Sequence, residues 1–137
     1  MLEKSYSLSK MERLSSRKII GSLFEEGSSL YSYPFTIAWM ESDPTQQYPA
    51  RVAISVPKKR LKRAVDRNRV KRVVREAWRH NKTVLYEALE QQNITIVLML
   101  IYTGTGIPSQ ADINIAIEKL ILKLLIAIKE AYQAKER

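Results

Sequence analysis

The sequence predicts an α+β fold, a single-domain sandwich in which a mixed, mainly antiparallel sheet packs against helices. Two patterns carry that reading. Apolar residues recur at helical spacing in some segments and alternate or run continuously in others, in the order helix, strands, helix, strand, helix. The chain has 137 residues, 45% of them hydrophobic, which suits one real core and not two. A strand at 51–56, a helix and a strand at 94–102 make a βαβ unit if the strands are parallel, and general topology makes such a crossover right-handed.

Residues 1–14 are polar with few core-forming side chains and read as an extended, mobile arm, with Lys10 and Arg13 available for phosphate contacts. A first helix starts at Ser15 or Ser16 and stops at Gly27, placing Ile19, Ile20, Leu23 and Phe24 on one face. Residues 31–40, YSYPFTIAWM, read as a strand that Pro34 interrupts or forces to an edge, with Phe35, Ile37 and Trp39 on one side. Residues 41–50 supply Pro, Asp, Ser and Gln for a loop. In the strand at 51–56, Val52, Ile54 and Val56 alternate with Ala53 and Ser55, and Pro57 ends it.

Beyond the central helix, residues 83–92 form a short helix, and 94–102 is a nearly continuous apolar run suited to a strand covered on both faces. After the loop TGTGIPS, Ser109-x-x-Asp112 opens a final helix to about residue 134. Ile113, Ile117, Leu120, Leu124 and Ile128 set its stripe.

The segment KKRLKRAVDRNRVKRVVREAWRHNK, residues 58–82, decides what the chain touches. It holds twelve Lys and Arg against Asp66 and Glu76, a net of +10 in a chain whose total is +9. On a helix, Val70, Val73, Val74, Ala77 and Trp78 make one apolar stripe. Asn68, Lys71, Arg72, Arg75, Arg79 and Lys82 fall on or near the other side, with Arg67 and Arg69 on its flanks. Asp66 suits the N-cap and Asn81 a left-handed terminus. Crowding like charges costs folding energy, so a polyanion is the natural partner, and nucleic acid leads. The alternatives are a solvated cationic face, an anionic lipid surface or an acidic protein.

Other chemistries find little support. There is no cysteine for disulfides or thiolate metal sites. No signal-peptide core and no apolar run near 20 residues is present, so a soluble cytoplasmic protein is expected. The one histidine, His80, has no acidic neighbour in the sequence and reads as a helix-end residue. No carboxylates cluster at metal-ligand spacing, and TGTG lacks the Lys of a phosphate loop.

Ser55-Val56-Pro57-Lys58-Lys59 followed by the run 64–79, AVDRNRVKRVVREAWR, closely resembles the signature of the bacterial ribonuclease P protein subunit: a strand ending in Ser-Val-x-Lys-Lys, a short basic linker, and a helix opening with Arg-Asn-Arg. The resemblance covers about residues 13–128 and is strongest over 51–79. It implies a protein subunit that binds a catalytic RNA and the 5′ leader of precursor tRNA, and a left-handed version of the crossover. Catalysis and magnesium ions would belong to the RNA, with no cofactor on the protein alone.

Carried over, the RNA-binding residues are Lys58, Lys59, Arg67, Asn68, Arg69, Lys71, Arg72, Arg75 and Arg79, to which the basic linker adds Lys62 and Arg63 as further RNA-binding residues. The leader-binding residues are Phe24, which matches the aromatic before the helix-ending Gly, and Phe35, which matches the aromatic opening the next strand, together with Ile37, Trp39 and Ser55. Ile20 stands where many members have Phe, and the linker 60–63 departs from the Gly-containing form. A general RNA-binding or ribosomal protein without a processing role is the alternative. A helix-turn-helix DNA reader fits poorly, since no tight helix pair precedes the basic helix.

Overall fold

The computed structural model describes residues 8–135. A 3₁₀ turn at Lys10–Glu12 precedes α1 (Arg17–Glu26), β1 (Ser28–Ser32), β2 (Phe35–Glu41), β3 (Ala50–Ser55), α2 (Ala64–Gln91), β4 (Ile96–Tyr102) and α3 (Gln110–Lys135). The four strands form one sheet in the order β1-β2-β4-β3. β1 and β2 pair antiparallel, as do β2 and β4, while β3 and β4 run parallel and make α2 a crossover helix. The α+β sandwich and its βαβ unit are therefore as the sequence predicts.

One sheet face carries the main core. Phe35, Ile37 and Trp39 of β2 lie with Val52 of β3 and Leu98, Leu100 and Tyr102 of β4 against Val70, Val74, Ala77 and Trp78 of α2 and Ile113, Ile117, Leu120 and Leu124 of α3. The other face holds a smaller cluster, in which Leu14 and Leu23 cover Ala38, Val97 and Met99. Covering on both sides explains why β4 is apolar at nearly every position.

Four element readings change. The single strand at 31–40 is a hairpin: Ser32 pairs with Phe35 across a two-residue turn, Tyr33–Pro34, and β1 starts at Ser28 directly after α1. Pro34 thus turns the chain where it lacks an amide to offer the ladder. Gly27 permits this join, because a Cβ there would collide with the carbonyl oxygens of Leu23 and Trp39.

The helix expected to end at Asn81 and the short helix at 83–92 are one helix of 28 residues. Asn81 turns its Nδ2 back to donate to the Ala77 carbonyl at 2.8 Å, so its side chain joins the helix instead of ending it. The N-cap is Arg63, with Asp66 inside the first turn, where its charge still suits the dipole.

The arm expected at 1–14 is ordered over its described part. Arg13 bridges in parallel to Val52, the Leu14 amide donates to the Val52 carbonyl at 2.9 Å, and Leu14 is buried. Residues 1–7, the remainder of that expectation, lie outside the described residues. Lys82, expected on the cationic face, is instead 3% exposed, with its Nζ 2.6 Å from Oε2 of Glu12.

Candidate nucleic-acid interface

The basic surface is built in two parts, a loop and a helix face. After β3, Pro57 opens a turn in which the Arg60 amide donates to the Pro57 carbonyl at 3.0 Å. Leu61 tucks against the main core, leaving Lys58, Lys59, Arg60, Lys62 and Arg63 exposed around it. Arg67 fixes the loop from the helix side: its Nη1 donates to the Leu61 carbonyl at 3.0 Å and to that of Lys62 at 2.7 Å. The N-cap residue Arg63 gives the first-turn amides of α2 no side-chain bond, so the positive end of the helix dipole adds to the surrounding cations.

Along α2 the apolar stripe packs inward, and this orients the charges. Asn68, Arg69, Arg72 and Arg75 are exposed and Lys71 half-buried, and among the described residues no carboxylate lies within salt-bridge range of these cations. Arg79 differs. Its guanidinium grips Glu76 with two nitrogens, the Nε to Oε2 bond measuring 3.2 Å, and His80 Nε2 stands 3.0 Å from Glu76 Oε1. The Arg79 bond is the chief reason the Glu76 carboxyl is held below its ordinary pKa.

His80 consequently has an acidic neighbour one turn back, contrary to the sequence reading, and sits within α2, not at its end. Of the residues predicted to bind RNA, the structure gathers Lys58, Lys59, Lys62, Arg63, Asn68, Arg69, Lys71, Arg72 and Arg75 as available groups. Arg67 is committed to the loop, and Arg79 is half-neutralised by its own chain.

A second surface lies on the sheet face that α1 covers. The register aligns Tyr31, Thr36, Ile101 and Ser55 in one row across all four strands, and Ser29, Ala38, Met99 and Ala53 in the next. α1 covers the second row through Leu23, whereas in the first row Tyr31 is 55% exposed and Thr36, Ile101 and Ser55 are half-buried. Ile20 packs at the edge of this small core, and Phe24, one helical turn on, projects 62% exposed. An open row of mixed apolar and hydroxyl groups beside a free aromatic ring is a surface on which unpaired bases can stack.

Three of the five residues predicted for the leader fail here. Phe35 and Ile37 are fully buried and Trp39 nearly so, on the opposite side of β2, beneath α2 and α3. Alternation in a strand forces this, since the parity that carries the large apolar residues is the one the main core takes. Phe24 and Ser55 keep their expected availability. Tyr31, Thr36 and Ile101 were missed; the signal for Thr36 was its parity opposite to Phe35, and for Tyr31 an aromatic ring on an edge strand.

The two surfaces adjoin. Ser55 ends β3, and two residues later the chain enters the Lys58 turn, so the open row sits at the cationic end of the sheet. Among the described residues no group of three His, Asp or Glu could hold a metal ion, and no described helix is long and apolar enough to cross a membrane.

Comparison with known proteins gives the family of the chain. A family model described as Ribonuclease P matches residues 8–124. The ribonuclease P protein component of Porphyromonas gingivalis is 33% identical over 120 residues, covering 88% of each chain. That of Chlorobaculum tepidum is 30% identical over 132 residues, 90% of this chain and 86% of the relative. Among solved structures, the RNase P protein from Thermotoga maritima is similar with a TM-score of 0.64 at 25% identity, over 80% of this chain and 94% of that one. The Staphylococcus aureus RNase P protein gives 0.64 at 21% identity, over 82% and 94%, a likeness of fold alone. With the family match spanning most of the chain and the relatives covered nearly end to end, this chain belongs to the ribonuclease P protein family.

Proposed function

We propose that this chain is the protein subunit of a ribonuclease P that removes 5′ leaders from precursor tRNA. In this reading the basic loop and the outer face of α2 bind the RNA subunit. Asn68, Arg69, Lys71, Arg72 and Arg75 contact its phosphates, with Lys58, Lys59, Lys62 and Arg63 extending the surface. The leader lies on the adjoining row of Tyr31, Thr36, Ile101 and Ser55, with Phe24 as a stacking ring.

The observation that carries the reading is the adjacency of a cationic helix face, whose Arg69, Lys71, Arg72 and Arg75 have no carboxylate in range among the described residues, to an open, aromatic-flanked sheet row. Cations neutralise phosphate crowding and release counterions, while the row receives bases without demanding a sequence. Bond cleavage and the magnesium ions that serve it belong to the RNA. The protein acts on RNA in the cytoplasm, with neither DNA nor membrane as partner.

Reconstitution with a bacterial ribonuclease P RNA tests this. The protein is expected to raise cleavage of precursor tRNA at low magnesium, and no gain overturns the assignment. Tight binding to ribosomal RNA without that gain supports a general RNA-binding role instead.

A further inference from the structure

Beyond the open row, the hairpin tip carries a cavity that neither surface uses. Tyr33, two residues along from Tyr31, is 68% exposed and, with Pro34 and Tyr102, walls a cavity of about 340 Å³ whose far side is the first half of α3, including Ile115 and Lys119. The loop behind it is braced. Tyr102 donates its hydroxyl to the Gly106 carbonyl at 3.1 Å, and its ring lies so close over Gly104 that no Cβ fits there. Lys123, a turn beyond Lys119, reaches back so that its Nζ donates to the Tyr31 carbonyl at 3.3 Å. The tip therefore has an exposed ring, an apolar wall and two ammonium groups on the side of the hairpin away from α1.

We infer that this cavity is a second nucleotide subsite, which takes a base of the single-stranded leader as it leaves the Tyr31 end of the open row and turns over the hairpin tip. The inference rests on the leader reading and extends its path. The chemistry matches one nucleotide. The Tyr33 ring gives a stacking face, and Lys119 and Lys123 meet the phosphates on either side. The Asp112 carboxylate at the rim disfavours phosphate inside the cavity and accepts hydrogen bonds from exocyclic amino groups, which favours base in and phosphate out. Continuity decides the occupant: Tyr31 and Tyr33 lie within about 7 Å along the chain, so a strand that leaves the open row at Tyr31 and crosses the hairpin edge comes next to Tyr33.

The test is equilibrium binding of the reconstituted holoenzyme to precursor tRNAs whose leaders are lengthened one nucleotide at a time. Tyr33→Ala is expected to weaken binding by about fivefold or more, but only beyond a threshold length. Tyr33→Phe should retain wild-type affinity, and Lys119→Glu should weaken the same long leaders. Equal weakening at all lengths, or none at any length, overturns the subsite. Phe24→Ala separates the two levels. If it weakens binding while Tyr33→Ala and Lys119→Glu do not, the cavity is wrong and the leader row stands. If all three leave every length unchanged, the leader reading fails and the subsite with it.

Discussion

Glu12 and Lys82, 70 positions apart in sequence, form a buried ion pair in which Lys82 Nζ lies 2.6 Å from Glu12 Oε2. The Tyr86 hydroxyl donates to the same oxygen at 2.6 Å, and the Ser9 amide donates to Oε1 at 3.1 Å. Burial acts to raise the Glu12 pKa, but the bonds from Lys82, Tyr86 and Ser9 outweigh it and hold the carboxyl below its ordinary value. Burial first, and then the bond to Glu12, push the Tyr86 hydroxyl upward. The pair clips the segment before α1 to the middle of α2, and so fixes where α1 enters the sheet.

Removing one partner strands the other. Glu12→Gln is expected to cost about 3–5 kcal/mol of unfolding free energy in urea titrations, and Glu12→Gln with Lys82→Met should recover much of it, because a buried pair replaced as a unit leaves no uncompensated charge.

The same pair sets an acid limb. Because the folded carboxyl has a lowered pKa, its contribution is fully present above the ordinary value of 4.5 and is lost as pH falls through the lowered one. Melting temperature followed from neutral to acid pH should drop in that window, and the drop should shrink in Glu12→Gln. Unchanged curves would remove the clip from the account of stability.

The cations divide by role. Arg69→Ala, Arg72→Ala and Arg75→Ala combined should weaken RNA binding and flatten its log-log salt dependence by about 0.7–0.9 per lost phosphate contact, with the thermal melt nearly unchanged. Arg67→Ala should lower the melt as well, since its guanidinium holds the Leu61 and Lys62 carbonyls.

Glu76 restrains Arg79. Glu76→Gln should tighten RNA binding and steepen the salt slope by up to about one contact, 0.7–0.9, because it removes an anion from the basic face and releases the guanidinium. An affinity that falls would show that the ion pair itself is part of the docked surface.

On the sheet, the two parities should behave oppositely. Phe35→Ala or Trp39→Ala is expected to cost about 3–5 kcal/mol of stability, whereas Phe24→Ala should leave the melt intact and cost about 1–3 kcal/mol in binding precursor tRNA. Affinity for mature tRNA, which lacks the leader, should not change in Phe24→Ala.

The amino-acid sequence alone determined the α+β class, the βαβ unit, the apolar stripe of α2 and the positive charge of its outer face, because hydrophobic periodicity and net charge are local properties of the chain. The signature around Arg67, Asn68 and Arg69 likewise identified the family. Tertiary structure decided everything that depends on a neighbour. The buried stripe of α2 drifts around the helix from Val70 toward Trp78, Leu85 and Leu89, and Lys82 lies within about 40° of its later course at 100° per residue. Glu12, arriving from the far end of the chain, supplies the carboxylate that an ammonium group needs at that buried position. Trp39 and Phe35 have the side chains of a stacking platform, yet strand pairing aims them into the core and leaves Tyr31, Thr36, Ile101 and Ser55 as the open row, because which side of a sheet stays uncovered is set by where the helices dock.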